Sequence, residues 1–593
     1  MQMAWVNQLV AELGPNESWR AAPAEIRHLA RRVHVPLFSR LLEVCQMGGS
    51  LFAQQFNVGF TLVGDVSYPG VFDPAHDAGP PHIPLEVFLG QGAKRWAEVG
   101  KVLQSSPEDE SAIWHACIEE REKGWLTGPF QLDACATAGT VPVCRFAVWQ
   151  HGKLRPCDNF RRSAANDASS VRTPISLPTV DHLAFLLDTI QGVGARPCSI
   201  FKADHANAYR QLPLRPSEAR FAHVVARNPS DGHVAVFIPR TLLFGSSTAV
   251  AHYNALSRAI SSIFARIFRV PVVGYFDDFA APVPRSLARQ ALHLFCTLNA
   301  ALGFDLKPPK CLVGSAVEFL GVVVCAGQTP VRVSVSDERR LGLLSTVSAA
   351  LAKGELHRGE AEVLSGKLSF CHCVCFAKEG RSFMPRLYNQ TRSTNASISP
   401  LLRSDLGWWV DYLSVPRFRS YSRRSTAPRW LLYTDAAGDG GLGAVLVPVA
   451  HERPLPPRIF YGRSEPEATL SISNGTSVIY ALEVLAVARA LATCGCLVAG
   501  GRVSLYVDND ASAAAIAKGC THASAPEVNA LVRCIWSMAS SFDVALWIER
   551  VGTKSNPADA PSRARAPYPQ GWLRLLHDLS SWGLSTALVV SSS

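Results

Sequence analysis

The sequence predicts a multidomain α+β protein, in which short strand-like runs alternate with helical ones. A length of 593 residues is too great for one hydrophobic core. Hydrophobic residues make up 48% of the chain and charged residues 18%, so there is enough apolar material for most of it to fold. The alternation of strand and helix patterns is clearest at residues 120–330 and again at residues 430–565. One small binding module is therefore excluded.

Changes in pattern along the chain divide it into five parts. Residues 1–118 contain helical patches and loops rich in Pro and Gly, and they carry no recognisable chemistry. We expect organised domains at residues 119–330, 331–428 and 429–566, followed by a C-terminal tail at residues 567–593.

Composition predicts a soluble intracellular protein. No uninterrupted apolar run reaches the roughly 18 to 20 residues that a membrane helix needs, and the first residues lack the pattern of a signal peptide. The 16 cysteines are scattered rather than dense, which is typical of free thiols in a reducing compartment. We therefore expect no membrane partner, while cytoplasm and nucleus stay open.

Positive charge is concentrated in one connecting segment. The net charge is +10, and residues 378–429 contain ten basic residues against three acidic ones. Five aromatic residues within residues 408–421 lie among these charges, and cations interleaved with rings suit a nucleic-acid track. The alternative is a solvated linker between domains. The aromatic residues are Trp408, Trp409, Tyr412, Phe418 and Tyr421.

A first set of acids falls at two predicted strand ends. The run CSIFKAD ends at Asp204, and VPVVGYFDDFAAPV places Asp277 and Asp278 between two apolar runs, as in a tight hairpin. Carboxylates brought together repel unless a cation holds them, and Mg²⁺ accepts such oxygen ligands. Because successive strand residues face opposite ways, we expect Asp277 rather than Asp278 to share a face with Asp204. Ordinary turn acids are the alternative.

A second set of acids lies in the last organised domain. Asp435 ends a strand before a Gly-rich turn, Glu483 lies on a helix, and Asp508 ends another strand, with Asp510 as its rival. In NPADAPSR we expect Asn556 to be the N-cap and Pro557 the first helical residue, which puts Asp559 in the first turn. Each acid taken singly is more often a capping or solvated residue.

Several motifs of residues 119–330 together resemble reverse transcriptases. YFDD at residues 275–278 follows a D-x-x-x-A-Y motif at residues 204–209 and resembles the palm of that family. Further segments resemble its fingers, template-facing loop, lysine-bearing segment and primer grip, in the family's order. They are GWLTGPF, HGKLRPCDNFRRSAAN, LLFGSSTAVAHYNALSR, LGFDLKPPK and EFLGVVV. GKLRPCDNFRRS, GKLSF and GRSFMPRLY further resemble retrotransposon enzymes of the DIRS and related groups.

This resemblance implies a right-hand polymerase, with fingers and palm at residues 119–330 and a thumb or connection at residues 331–428. It also implies that three acids bind two Mg²⁺ ions, with Mn²⁺ as an alternative ion. Those acids are Asp204, Asp277 and Asp278.

The resemblance further implies the residues that meet the incoming nucleotide. Lys153 and Arg155 would meet the triphosphate of a dNTP, since guanidinium and ammonium groups suit phosphate oxygens. Tyr209 matches the ring that excludes ribonucleotides, and Gly245 would let the backbone approach the nucleotide. Lys307 matches the family's lysine, although Lys310 is a rival for that role. Taken alone, KLRP would indicate surface charge and Tyr209 a buried aromatic.

The second set of acids resembles ribonuclease H, through TDAAGDGGLGA, LEVLAVARAL, YVDN and NPADAPSR. The resemblance implies that four acids hold two Mg²⁺ ions and cleave the RNA strand of an RNA:DNA hybrid, recognised by its shape and 2′-hydroxyls. The loop at residues 451–477 is longer than a compact version needs. The four acids are Asp435, Glu483, Asp508 and Asp559.

Together these resemblances imply an RNA-directed DNA polymerase that extends a DNA primer on an RNA template and a ribonuclease H that degrades the copied RNA. The alternatives are an RNA-templated RNA polymerase, disfavoured by Tyr209, and a catalytically silent nucleic-acid-binding remnant of a mobile element. No protease, integrase or recombinase signature is found, so a separate integrase or recombinase is expected. CHCVC at residues 371–375 indicates core cysteines rather than zinc. Priming and oligomeric state stay open.

Overall fold

The structure, a computed structural model, describes most of the chain. The described residues are 2–48, 50–66, 71, 79–103, 106–150, 152–171, 175–194, 197–327, 329–374, 378–421, 427–449, 457–464 and 478–563. The C-terminal tail at residues 567–593, most of the loop at 451–477, and Arg423 and Arg424 of the basic segment lie outside them.

The chain forms two compact units. The first comprises residues 1–320 and 325–329, and the second comprises residues 321–324 and 330–593. Both contain helices and strands, so the expected multidomain, mixed organisation is confirmed.

The first unit contains eleven described α-helices, with short 3₁₀ turns between some of them. The helices are Gln2–Leu13, Arg27–Ala30, Val35–Val44, Ser50–Val58, Leu85–Gly90, Gly92–Val102, Pro107–Glu122, Leu132–Cys135, Val180–Gly194, Ser247–Phe268 and Ala288–Leu302. The 3₁₀ turns are Ser18–Ala21, Ala208–Gln211, Pro216–Phe221, Arg285–Leu287 and Pro308–Lys310.

Most of the described strands of the first unit form three sheets. The strand Ala316–Phe319, which comes last in the sequence, belongs to none of these three. A five-stranded sheet has the order Leu126–Gln131, Val234–Pro239, His223–Arg227, Pro142–Gln150 and Lys153–Asp158. A four-stranded sheet has the order Leu312–Gly314, Cys198–Asp204, Asp278–Pro284 and Val273–Tyr275. A parallel pair joins Gly64–Val66 to Ser169–Val171.

Local sequence explains where the central helix of the first unit begins and ends. Ser246 is the N-cap of Ser247–Phe268, since its hydroxyl accepts a hydrogen bond from the backbone N–H of Ala249. Arg269 follows in a left-handed conformation with φ of 58°, which ends the helix. Most residues of this helix are buried, and it packs in one continuous core with both larger sheets. The strand ends that carry the first acids are thus held on a rigid base.

The second unit contains eight described α-helices and eight described strands. The helices are Asp337–Lys353, Arg358–Val374, Pro385–Gln390, Pro400–Ser414, Val478–Val498, Asp510–Lys518, Pro526–Ser541 and Asp559–Ser562, with 3₁₀ turns at Arg381–Phe383 and Thr553–Ser555. The strands are Val322–Cys325, Val331–Val335, Phe418–Tyr421, Arg429–Ala436, Gly441–Val449, Arg458–Arg463, Arg502–Val507 and Ala545–Arg550.

Five of these strands form the main sheet of the second unit. Its order is Arg458–Arg463, Gly441–Val449, Arg429–Ala436, Arg502–Val507 and Ala545–Arg550. The first three are antiparallel, while the last two run parallel to Arg429–Ala436. The Gly-rich turn and the helix and strand alternation predicted for this region are present.

The helix Val478–Val498 forms the core of this unit. It is long and apolar enough to cross a membrane by length and composition alone, but 72% of its apolar window is buried inside the unit. It packs with Pro526–Ser541 against alternate residues of the sheet, such as Leu432 and Leu505. Cys494 is buried within this helix.

The aromatic residues of the connecting segment contact one another. Trp408 stacks on Phe383 with ring centroids 3.9 Å apart, and on Tyr412 at 4.4 Å. The guanidinium of Arg533 covers Phe383 at 3.6 Å, and that of Arg417 covers Tyr412 at 4.1 Å. The expectation that these rings stack on nucleic acid is therefore wrong for Trp408 and Tyr412, because their faces are already covered by the protein.

Candidate active sites

The acids of the first unit meet at the end of two paired strands. Asp278 lies directly opposite Asp204 in the antiparallel register, and side chains at paired positions share a face. The preference for Asp277 over Asp278 at this position was therefore wrong. Asp277 belongs to the two-residue turn between Tyr275 and Asp278, where strand alternation does not apply. Phe276, with φ of 50°, is the other turn residue.

Two lysines bind the carboxylate of Asp204. The ammonium of Lys307 donates to Asp204 Oδ1 and lies 3.8 Å from Asp277 Oδ2. The ammonium of Lys310 lies 2.6 Å from Asp204 Oδ2. The sequence left Lys307 and Lys310 as alternatives for one role, but the structure brings both lysines to the same acid. Lys202, two residues before Asp204 on the same face, adds a third ammonium 3.5 Å from Asp278 Oδ1.

The pKa of one acid at this site is lowered, whereas the pKa values of the other two are raised. Burial alone would raise the pKa of Asp204, but hydrogen bonds from Lys307 and Lys310 outweigh it and hold that pKa below its usual range. Burial and the charge of Asp204 raise the pKa of Asp277. Burial also raises the pKa of Asp278; the charge of Lys202 opposes this, and the charges of the other two acids add to it. Carboxyl groups this close need a compensating charge, which Lys307 and Lys310 supply to Asp204 in this structure.

Tyr209 lies close to these acids. Its ring packs edge-to-face on Phe244 at 4.9 Å and on Tyr253 at 5.4 Å. Burial, with a further contribution from the charge of Asp277, raises the pKa of Tyr209 to about 12. The structure therefore places the predicted ring beside the predicted acids.

A buried hydrogen-bond chain that the sequence did not reveal lies behind Asp204. The Nε2 of His205 is 2.8 Å from Asn299 Oδ1, and its Nδ1 is 2.7 Å from the hydroxyl of Tyr253. Burial lowers the pKa of His205 to about 4, so the ring is neutral and accepts from Tyr253 while donating to Asn299. The backbone N–H of His205 also donates to the carbonyl of Asp277 at 2.9 Å. His205 thus connects the backbone next to Asp204 to the backbone of Asp277.

Lys153 and Arg155 lie on the edge strand of the five-stranded sheet, and both are exposed. They are not brought into hydrogen-bond contact with the acids. The same strand ends at Asp158, whose carbonyl would be 2.3 Å from a Cβ on Gly245. Any side chain at position 245 would collide with the Asp158 carbonyl, and the φ of +98° also favours glycine. The sequence did not reveal this reason for Gly245.

A buried ion network connects this strand to the residue after Tyr209. Arg145 donates to Asp158 Oδ1 at 2.9 Å and to Glu120 Oε2 at 2.7 Å. Arg210 donates to both oxygens of Glu120 at 2.7 Å. All four residues are buried. The sequence gave no signal of this network, since its members are up to 90 residues apart.

The second unit brings three acids into a compact group. Ligand atoms of Asp435, Glu483 and Asp508 lie within 4.8 Å of one another, and this is the one such group of acids, histidines or cysteines among the described residues. Arg429–Ala436 and Arg502–Val507 are parallel neighbours, so Asp435 and Asp508 meet at the same edge of the sheet. Glu483 approaches from the helix Val478–Val498, and its Oε1 accepts from the backbone N–H of Ala436 at 3.3 Å.

This group fits a divalent cation. Asp435 is 5% exposed and Glu483 3%. Burial and the charges of Asp435 and Asp508 raise the pKa of Glu483 to about 8. Glu483 Oε2 is buried and has no hydrogen-bond partner among the described residues. A hard cation would satisfy this oxygen and reverse the mutual repulsion of the acids.

The fourth predicted acid, Asp559, lies beside the group rather than within it. Its Oδ1 accepts from Arg563 at 2.6 Å, while its charge still raises the pKa of Asp435, after burial and Asp508. The helix begins at Asp559 with Ala558 as the N-cap, so the prediction of Asn556 as N-cap and Pro557 as first helical residue was wrong.

Asp510 does not compete with Asp508. It begins the next helix and forms an ion pair with Arg550.

No protein-family model and no curated protein matches the sequence. A structural comparison matches the chain to solved structures of the foamy viral protease-reverse transcriptase. One, a dRH form with double-stranded DNA, is 12% identical, covers 87% of this chain and 81% of its own, and has a TM-score of 0.43. A second with double-stranded DNA is also 12% identical, with coverages of 88% and 97% and a TM-score of 0.41. A third, with an RNA/DNA hybrid, has the same identity, coverages of 90% and 65% and a TM-score of 0.42.

Proposed function

We propose that the protein is an RNA-directed DNA polymerase with a ribonuclease H activity in the same chain, encoded by a retrotransposon of the DIRS-like kind. The observation that carries the proposal is the buried group of Asp435, Glu483 and Asp508, with ligand atoms within 4.8 Å of one another. The pair Asp204 and Asp278, opposite each other on two strands, supports the polymerase half. A separate integrase or recombinase would complete the element, and the enzyme would act inside the cell.

In the polymerase half, Asp204, Asp277 and Asp278 would hold Mg²⁺. The metal would supply positive charge to the attacking and leaving oxygens of phosphoryl transfer. Lys307 and Lys310 neutralise the charge of Asp204, and their ammonium groups would lie near the phosphates of a nucleotide bound beside that acid. Fixed cations next to a developing negative charge act without reorganisation at the moment of reaction.

Recognition of the dNTP would combine exposed and packed side chains. Lys153 and Arg155 are exposed and therefore accessible to a triphosphate. Tyr209 is held by Phe244 and Tyr253, so its ring cannot turn aside for a ribose 2′-hydroxyl. The expected substrates are dNTPs, a DNA primer and an RNA template.

In the nuclease half, Asp435, Glu483 and Asp508 would hold the metal and Asp559 would complete the set. Glu483 carries a proton near neutral pH until a cation displaces it, because burial and its neighbours raise its pKa to about 8. The RNA strand of an RNA:DNA hybrid is the expected substrate.

Primer extension tests the polymerase half. The parent should extend a DNA primer on an RNA template with dNTPs and Mg²⁺, while Asp277→Asn should lose nearly all extension. Asp231→Asn is the matched control, since Asp231 is an exposed acid whose carboxylate accepts from the N–H of His233 in a turn. A parent no more active than Asp277→Asn would favour the catalytically silent remnant.

Hybrid cleavage tests the nuclease half. The parent should cleave the RNA of an RNA:DNA hybrid, and Asp435→Asn should not. Asp510→Asn is the control, because this exposed acid is nearby in sequence but pairs with Arg550. Unchanged cleavage by Asp435→Asn would remove the assignment.

A further inference from the structure

Ser562 contacts one acid of the second unit directly. Its hydroxyl is 2.5 Å from Asp435 Oδ2, and Ser562 is 1% exposed. The same oxygen is 2.9 Å from the carbonyl of Asp559. A hydroxyl has one hydrogen to donate, and the bond to a carboxylate is the shorter and stronger of the two.

The segment that carries Ser562 is built against the strand that carries Asp435. The side chain of Asn556 donates to the carbonyl of Thr434 at 2.9 Å, and its Oδ1 accepts from the N–H of Ala558 at 3.1 Å. Asn556 is 5% exposed. The residue before Asp435 is therefore tied to the start of the segment, while Ser562 ties Asp435 itself to the end of it.

Two glycines make this close packing possible. A Cβ on Gly441 would be 1.9 Å from the carbonyl oxygen of Ser562, and a Cβ on Gly443 would be 2.4 Å from its nitrogen. Gly443 is the register partner of Asp435 in the neighbouring strand. The backbone of Ser562 is thus seated directly on the sheet beside Asp435, and its hydroxyl is held in place.

We propose that Ser562 is a positioning residue that orients the carboxylate of Asp435 for divalent-cation binding. The inference rests on the proposed nuclease function. A carboxylate can rotate about its Cα–Cβ and Cβ–Cγ bonds, and a hydrogen bond to one oxygen stops that rotation. The remaining lone pairs then stay directed at the space shared with Glu483 and Asp508. Residues that hydrogen-bond a metal ligand commonly affect metal affinity in this way.

The test measures Mg²⁺ binding and not only cleavage. All proteins are full-length and carry Asp277→Asn and Asp278→Asn, so that the acids of the first unit do not contribute. Titration calorimetry with MgCl₂ should show that Ser562→Ala raises the dissociation constant at least about tenfold, and that Ser562→Thr, which keeps the hydroxyl, stays within about threefold of the parent. Ser555→Ala, an exposed serine of the same segment, is the control and should bind as the parent does.

Cleavage of an RNA:DNA hybrid gives the second measurement. Ser562→Ala should need more Mg²⁺ for half-maximal cleavage, while its KM for the hybrid should not change. A folded Ser562→Ala with the Mg²⁺ affinity of the parent would overturn the inference. If Ser562→Ala does not fold, Ser562→Cys keeps the volume with a weaker donor and is judged by the same criterion.

The two proposals fail in different ways. A parent that binds Mg²⁺ but cleaves no hybrid contradicts the nuclease, while the comparison of Mg²⁺ affinities still decides the role of Ser562. If the parent and Ser562→Ala cleave the hybrid equally well at every Mg²⁺ concentration, only the inference on Ser562 is contradicted.

Discussion

Asp278 lies directly opposite Asp204 across two antiparallel strands, and burial, together with the charge of Asp204, raises the pKa of Asp278 against the opposing effect of Lys202. Two carboxylates at this separation cannot both be ionised without a compensating charge. Lysine ammonium groups supply part of that charge through Lys307, Lys310 and Lys202. Asp204 is thus charge-compensated by the protein itself, because lysine ammonium groups bind both of its carboxylate oxygens.

Removal of the Tyr209 ring should weaken sugar selection. Tyr209→Val leaves open the space that the ring fills between Phe244 and Tyr253, so a ribose 2′-hydroxyl would be accepted. We expect the ratio of ribonucleotide to deoxyribonucleotide incorporation to rise by about tenfold or more. Single-nucleotide extension with dNTP and with NTP gives this ratio. An unchanged ratio, with dNTP incorporation intact, would exclude Tyr209 from sugar selection.

Neutralising Glu120 should destabilise the first unit. Glu120→Gln keeps the shape of the side chain but leaves Arg145 and Arg210 buried without their shared carboxylate. Breaking such a buried ion network costs about 3 kcal/mol or more of unfolding free energy. Urea unfolding measures it, with the exposed neighbour Glu119→Gln expected to change stability by less than about 0.5 kcal/mol. Equal effects of the two variants would contradict a structural role for the network.

The stability of the metal-free protein should fall as pH rises toward 8. The pKa of Glu483 is raised to about 8 in the folded state, so folding is favoured while that carboxyl stays protonated. This contribution is fully present below the ordinary glutamate pKa and is lost as pH rises through the folded value. Thermal unfolding in EDTA at pH 6, 7 and 8 should show a smaller decline for Glu483→Gln than for the parent. Parallel declines would contradict the shift.

Truncation of Trp408 should destabilise the second unit. Trp408 is the centre of the stack formed with Phe383 and Tyr412 and also packs edge-on against Trp409, so Trp408→Ala removes three ring contacts. We expect a loss of about 2 to 3 kcal/mol in unfolding free energy. Trp547→Ala is the control, because that ring is 66% exposed, and its effect should stay below about 1 kcal/mol. If Trp408→Ala were as mild as the control, the rings would be free for another partner.

Local patterns were enough to place the second set of acids. Asp508 follows a strand with clear alternation, Asp435 precedes a Gly-rich turn, and Glu483 lies on a strongly apolar helix, so their elements could be predicted from neighbouring residues alone. Parallel pairing then brings the two strand ends together. Local secondary-structure propensity could not predict this strand pairing. The order of the motifs along the chain indicated it.

Features that depend on turn geometry or distant partners were missed. Asp277 was assigned by strand alternation, but a two-residue turn places Asp278 at the paired position. Glu120 and Arg210 are 90 residues apart, so no local pattern could reveal their contact. Burial of the Trp408 stack likewise depends on Arg533 from a helix far along the chain.

The most direct test of the central claim is a double dissociation on one substrate, a DNA primer annealed to a labelled RNA template, with Mg²⁺ and dNTPs. Asp278→Asn should abolish primer extension and leave RNA cleavage intact, while Asp435→Asn should abolish cleavage and leave extension intact. A parent that performs neither reaction better than the variant with both substitutions would contradict the account.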